Sequence, residues 1–156
     1  MAGVACLLTI GLSAGCGRPV DLTTGLEVRR VSSGWLDTGM VGGQRKLVPT
    51  LTVTLSNASD ETLALLKVNA LFGRVGDEDE WGSSYLAVAG AEGLAAGAAT
   101  VVTTTSQLGY TGSESGLEML ANTEFVDARV DLFAKYGPNQ WTRLGRYKVD
   151  RALLAQ

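Results

Sequence analysis

The sequence predicts an all-β protein, a single antiparallel β-sandwich of about seven strands with one short helix. Three observations predict it. Leu47, Pro49, Leu51, Val53 and Leu55 alternate with Val48, Thr50, Thr52, Thr54 and Ser56, the period of two that marks a half-buried strand. Glycine is abundant at 20 residues and proline scarce at 3, while Val, Thr and Leu recur between turn-like stretches, a mixture that suits short strands. Residues 117–121 are the one convincing helical turn, placed to plug an end of the sandwich.

The elements follow in order. Residues 16–24 form a short tether, and the sandwich domain is expected over 25–156. Residues 25–36 make a mixed strand closing on Trp35, and 37–43 (DTGMVGG) a glycine-rich loop. After the alternating strand, 57–61 is a turn in which Asn57 and Ser59 bond their own backbone. The apolar run 62–72 has helical spacing at Leu63, Leu66 and Ala70, yet its turn-like flanks and the need of the preceding strand for a partner favour a strand. Residues 81–89 and 98–106 are two more strands.

The last two strands allow a register argument. In 125–136 one face carries Val126, Ala128, Val130, Leu132 and Ala134, the other Phe125, Asp127, Arg129, Asp131, Phe133 and Lys135. If residues 137–140 loop out, Val130 meets Tyr147, Leu132 meets Gly145, Asp131 meets Arg146, Phe133 meets Leu144 and Tyr136 meets Trp141. A slip of one residue buries Arg146 and Lys148 beside Val130 and Ala128, costing several kcal/mol.

Leu51-Thr52-Val53-Thr54-Leu55-Ser56-Asn57-Ala58-Ser59, then Val68 and Phe72, then Leu94-Ala95-Ala96-Gly97-Ala98 resemble the immunoglobulin-like sandwich of bacterial FxLYD-type and water-stress (LEA-like) domains. Ala96 and Ala98 stand where that family has proline and glutamate. The resemblance covers roughly 46–106 and implies a fold and a cell-envelope setting, with no activity to carry over.

The N-terminus reads as an address. Residues 1–17 carry no charged side chain, and 4–12 (VACLLTIGL) is apolar. Nine helical residues rise about 14 Å, half a bilayer core. Small residues Ser13, Ala14 and Gly15 then precede Cys16, the profile of a cleavable signal peptide over 1–15. Leu12-Ser13-Ala14-Gly15-Cys16 resembles the bacterial lipobox, which implies fatty acylation of Cys16 (palmitate) as the first mature residue. An ordinary secretory signal and an N-terminal helix of a cytoplasmic protein stay open as alternatives. Several acyl chains, at about 0.8 kcal/mol per methylene, anchor a protein essentially permanently. Gly17 gives no acidic retention signal, which points to the outer membrane, facing the periplasm, in a cell that has one.

Chemistry is constrained by what is missing. The chain has no histidine, so His-based catalysis and metal binding are excluded. Its two cysteines are Cys6 and Cys16, so no disulfide forms inside the domain after processing. The net charge of −3 with no basic stripe argues against nucleic acid. Asp77-Glu78-Asp79-Glu80 lacks the ligand spacing of a calcium loop and reads as a solvated turn. Asp127 and Asp131, flanked by Arg129, Arg146 and Lys148, read as a surface ion-pair lattice rather than an acid–base pair. No catalysis and no cofactor are expected. Tyr110, at the start of the glycine-rich loop 109–116, and Phe125, Phe133 and Leu144, as an outer apolar patch, are the candidate contact residues. The expected function is a lipid-anchored envelope lipoprotein, a structural or protein-binding module held to the membrane through acylated Cys16. The alternative is a periplasmic small-ligand or sugar-binding lipoprotein using Trp35, Trp81 and Tyr110.

Overall fold

The computed structural model describes residues 18–155; the expected signal peptide 1–15 and Cys16 lie outside them. Strands β1 (Leu26–Val41) and β2 (Gln44–Asn57) form a long antiparallel hairpin. Gly42 and Gly43 close it with φ of +59° and +80°, the left-handed backbone that a two-residue hairpin turn demands and glycine adopts without strain. The loop expected over 37–43 is therefore mostly strand, with only its last two residues turning.

On the other side of β2 lie β5 (Ala99–Thr105) and, further along the same edge, the short β6 (Tyr110–Gly112), which pairs with Arg45, Lys46 and Leu47. Pro49 is tolerated in this central strand for a local reason. Its carbonyl accepts the Ser106 N–H at 3.0 Å, so its missing donor faces the same way, where the chain leaves the ladder between β5 and β6. Gly109 brings the chain back so closely that a Cβ there would lie 1.9 Å from the Leu47 carbonyl oxygen. The stretch expected as one long polar loop thus contains a strand.

The second sheet has the order β4-β3-β7-β8, with β3 (Lys67–Arg74), β4 (Gly82–Ala87), β7 (Ala128–Lys135) and β8 (Thr142–Lys148). First, second, fifth and sixth strands thus face the third, fourth and last two, the Greek-key division of an immunoglobulin-like sandwich. The expected fold class is the observed one, with eight strands in place of seven. Among the described residues there are two helices, α1 (Leu22–Gly25) and α2 (Gly116–Ala121), where one was expected. Helix α2 begins with a reciprocal capping box: Ser115 Oγ accepts the Glu118 N–H, and the Glu118 carboxylate accepts the Ser115 N–H.

The apolar run 62–72 is strand only from Lys67. Before it, Leu63 makes an isolated bridge to Leu94, and Leu65 turns the chain with φ +52°. The expected tether is docked chain from Val20 onward. Asp21 caps α1, Leu22 is buried, and the Val20 N–H donates to Tyr136 Oη, which donates back to the Val20 carbonyl at 3.3 Å.

The β7–β8 ladder has the expected register at Val130–Tyr147, Asp131–Arg146 and Leu132–Gly145. A bulge then intervenes, so Phe133 meets Arg143 rather than Leu144, and Tyr136 does not pair with Trp141. The core between the sheets holds Trp35, Phe72, Leu51, Leu55, Leu66, Leu132 and Val149, all essentially inaccessible. The C-terminal chain closes part of the β1 edge: the Trp35 N–H donates to the Ala152 carbonyl at 2.8 Å, and the Leu154 N–H to the Trp35 carbonyl at 2.9 Å.

Candidate functional site

Cys16 lies outside the described residues. The four contact candidates do not form one surface. Phe125 precedes β7, so the alternation that placed it outward has not begun; it is buried, with its ring 4.7 Å from those of Trp35 and Tyr110. Leu144 is the bulged residue of β8. It turns inward, packs against the core and lines a groove of about 520 Å³ with Leu26, Val28 and Tyr147. Phe133 alone is on the outer face of the second sheet, half-buried beside Arg143 and Arg146. The expected apolar patch is therefore absent. Its members were separated by a strand start and a bulge.

Tyr110 sits in β6, opposite Leu47, with its ring turned inward and its hydroxyl donating to the Val126 carbonyl at 3.2 Å. Here the structure gathers distant residues. The ring of Tyr110 lies 5.6 Å from Trp35 and 5.1 Å from Trp81, and the two indoles are 6.4 Å apart. The Arg74 guanidinium covers this cluster at 5.4 Å from Trp81 and 5.8 Å from Tyr110, a favourable placement of a cation on aromatic faces. Trp35 is fully buried, and its indole N–H has no hydrogen-bond partner among the described residues. Beside the cluster a cleft of about 150 Å³ opens, lined by Tyr110, Gly112, Glu114, Met119, Asn122 and Phe125. Trp35, Trp81 and Tyr110 were candidates from the sequence; Arg74 and Phe125 as their partners were not.

This cluster lies at the end of the sandwich away from α1. The ends of β7 at Lys135, β3 at Lys67 and β2 at Asn57 share the N-terminal end, joined through the Tyr136–Val20 contact and the Leu26–Asn57 pair. Arg74, the start of β7 and the strand β6 share the other.

The ion-pair lattice exists, but one of its members is not at the surface. Asp131 has only 7% of its side chain exposed and is paired with Arg129, Arg143 and Arg146. Burial by itself would raise the Asp131 carboxyl. Hydrogen bonds from Arg146 and Arg143 and their charges outweigh it, holding the group below the usual carboxylate range. Asp127 is also lowered, by hydrogen bonds from Lys148 and Arg151. Arg129 straps the acidic loop, donating to the carbonyls of Asp77 and Glu78 at 2.9 and 3.1 Å. These carboxylates are tied to cations within the fold.

No family model and no curated protein matches the chain. Among solved structures it is similar to a structural-genomics target known as SoR45 (TM-score 0.48, 11% identity, covering 83% of this chain and 89% of that one). It is also similar to the ligand binding region of Serine-glutamate repeat protein A of Enterococcus faecium (TM-score 0.31, 18% identity, 74% of this chain and 88% of that one). Neither likeness is close enough to carry an argument, and the fold rests on the strand order above.

Proposed function

We propose that the chain is a lipid-anchored cell-envelope module without catalytic activity, joined to the membrane through acylated Cys16 and binding a protein partner at the aromatic end of its sandwich. One observation carries this reading: the docked N-terminal segment and the aromatic cleft occupy opposite ends. Three residues lie between Cys16 and the docked Val20, so the four-residue step reaches at most about 14 Å. An acylated Cys16 then holds the α1 end against the headgroups and turns Trp81, Tyr110 and their cleft away from them.

At the aromatic end, size favours a protein partner over a carried ligand. Sites that enclose small molecules run to roughly 300–1,000 Å³, whereas the cleft holds about 150 Å³, room for one inserted side chain. Trp35, needed by the small-ligand and sugar alternative, is wholly covered.

Two measurements test the proposal. Cys16→Ser should abolish acyl labelling and move the protein out of the membrane fraction; a mature chain found in the cytosol with residues 1–15 attached overturns the anchor. A photo-crosslinking residue at Thr111 or Glu114 should give one discrete adduct in native membranes, absent when the same residue replaces Thr103. Equal crosslinking from all three positions overturns the assignment of the aromatic end.

A further inference from the structure

Six of the chain's 13 cationic side chains, Lys67, Arg129, Lys135, Arg143, Arg146 and Lys148, project from the outer face of β4-β3-β7-β8, although the whole chain carries a net charge of −3. They are scattered over 82 positions of sequence and meet only through strand register. One row across the four strands runs Tyr85, Asn69, Phe133, Arg143, since Asn69 pairs with both Tyr85 and Phe133, and Phe133 with Arg143. In the next row Lys67 pairs with Lys135.

Not all of this charge is available. Arg129 is engaged by Asp131 and the acidic loop, and Lys148 by Asp127. Arg143 and Arg146 touch Asp131 yet keep 47% and 55% of their side chains exposed. Lys67 and Lys135 make no salt bridge among the described residues. Set among these cations are two exposed rings, Tyr85 and Trp141, 6.1 Å apart and edge to face, with Lys135 Nζ 5.2 Å from the Trp141 ring. Tyr85 is 56% exposed. Among the described residues, nothing covers these two rings.

We infer that this face binds an acidic polysaccharide, a chain of sugar rings bearing carboxylates. The apolar C–H face of a sugar ring stacks on an exposed aromatic ring such as Tyr85, and guanidinium and ammonium groups meet the carboxylates with charge-assisted hydrogen bonds. The open strand rows suit an extended polymer better than an enclosed ligand. Charge density selects against nucleic acid: duplex DNA carries one charge per about 1.7 Å, and Glu78 and Glu80 at the margin of this face repel so dense a polyanion. A polymer with at most one charge per ring matches four available cations interleaved with rings. This surface is separate from the aromatic end and does not depend on the anchor.

The test titrates the full-length protein, in detergent, with polygalacturonate as the acidic glycan. Dextran serves as the neutral glycan, polyphosphate as the polyanion without rings, and glycerol phosphate as the soluble form of an anionic lipid headgroup, which an acylated Cys16 cannot enter. Saturable binding to polygalacturonate is expected at low ionic strength, weakening as salt shortens the screening length, with little binding to the other three. Tyr85→Ala, at an exposed position, should lower affinity about fivefold. Lys67→Glu combined with Lys135→Glu should lower it at least about tenfold, and Thr103→Glu on the opposite sheet should leave it unchanged. Failure to bind polygalacturonate overturns the inference. Binding of dextran, polyphosphate or glycerol phosphate as tight as that of polygalacturonate does so too, as does wild-type affinity in both the Tyr85 and the double lysine variants.

Discussion

On the first sheet the outward positions at which β2 pairs with β5 include two threonine pairs, Thr52 with Thr103 at 3.0 Å and Thr50 with Thr105 at 3.2 Å, and no charged residue. On the second sheet the outward positions of β7 and β8 are Arg129, Asp131, Phe133 and Lys135 against Arg143, Arg146 and Lys148. Both faces arise from the same alternation, and both back onto the same core. The difference is what each outward residue finds beside it. A threonine row is neutral wherever it falls, so the character of the first face depends little on pairing. The second face depends on it wholly, because moving β8 by one residue carries Arg146 and Lys148 inward. A charged face therefore constrains register in a way that a threonine face does not.

The largest expected effect tests the premise that the core, and neither face, holds the fold. Trp35 is fully buried between the sheets, against Phe125, Tyr110 and Trp81. Trp35→Ala should cost about 3–5 kcal/mol through lost burial and the cavity left behind, measured by urea unfolding. A smaller loss than that of the face variants below would reverse the premise.

Asp131→Asn is next. Removing one partner of a buried ion pair costs about 3–5 kcal/mol, but Arg143 and Arg146 are half in water, so screening reduces the expectation to about 1.5–3 kcal/mol. The sign with pH follows from the lowered carboxyls of Asp131 and Asp127. A folded-state value below the unfolded one contributes stability in full above the unfolded value, near pH 4, and loses it as pH falls toward the folded value. Wild type should therefore weaken between about pH 5 and pH 2 more steeply than Asp131→Asn. Parallel stability curves for the two proteins would remove this face from the fold's energetics.

Tyr136→Phe removes the hydroxyl that both accepts from and donates to Val20. The expected loss is about 1 kcal/mol, with amide exchange rising first at residues 20–25. Global destabilisation without that local change would mean that the α1 end is not separately held.

Much of this was legible in the sequence, and the failures have identifiable causes. The β7–β8 register was legible because the alternative buried two cations, whereas the bulge was not, because it depends on Leu144 packing inward toward Leu26 and Val28. Phe125 was misplaced by extending a period of two past the start of β7 at Ala128. The Tyr110 strand was hidden by its polar, glycine-rich setting, since three residues carry too little periodicity to announce a strand. The aromatic end had its tryptophans in plain view but not Arg74. The basic face was half legible: Arg129, Arg146 and Lys148 came together through the β7–β8 register, whereas Lys67 joins Lys135 from β3, a pairing that no hairpin announces.

The smallest expected effect bears most directly on the comparison. Thr103→Val replaces one hydroxyl of the Thr52–Thr103 pair with a methyl at an exposed, β-branched position. The lost hydrogen bond is a solvent-exposed one, and valine keeps the strand preference of threonine, so stability should change by no more than about 0.5 kcal/mol. With the pH dependence of Asp131→Asn measured on the same scale, the two outer faces would differ in energy as they differ in composition. A loss above 1 kcal/mol at Thr103, checked by the same urea titration, would mean that the threonine rows also fix register and that the contrast between the sheets is one of degree.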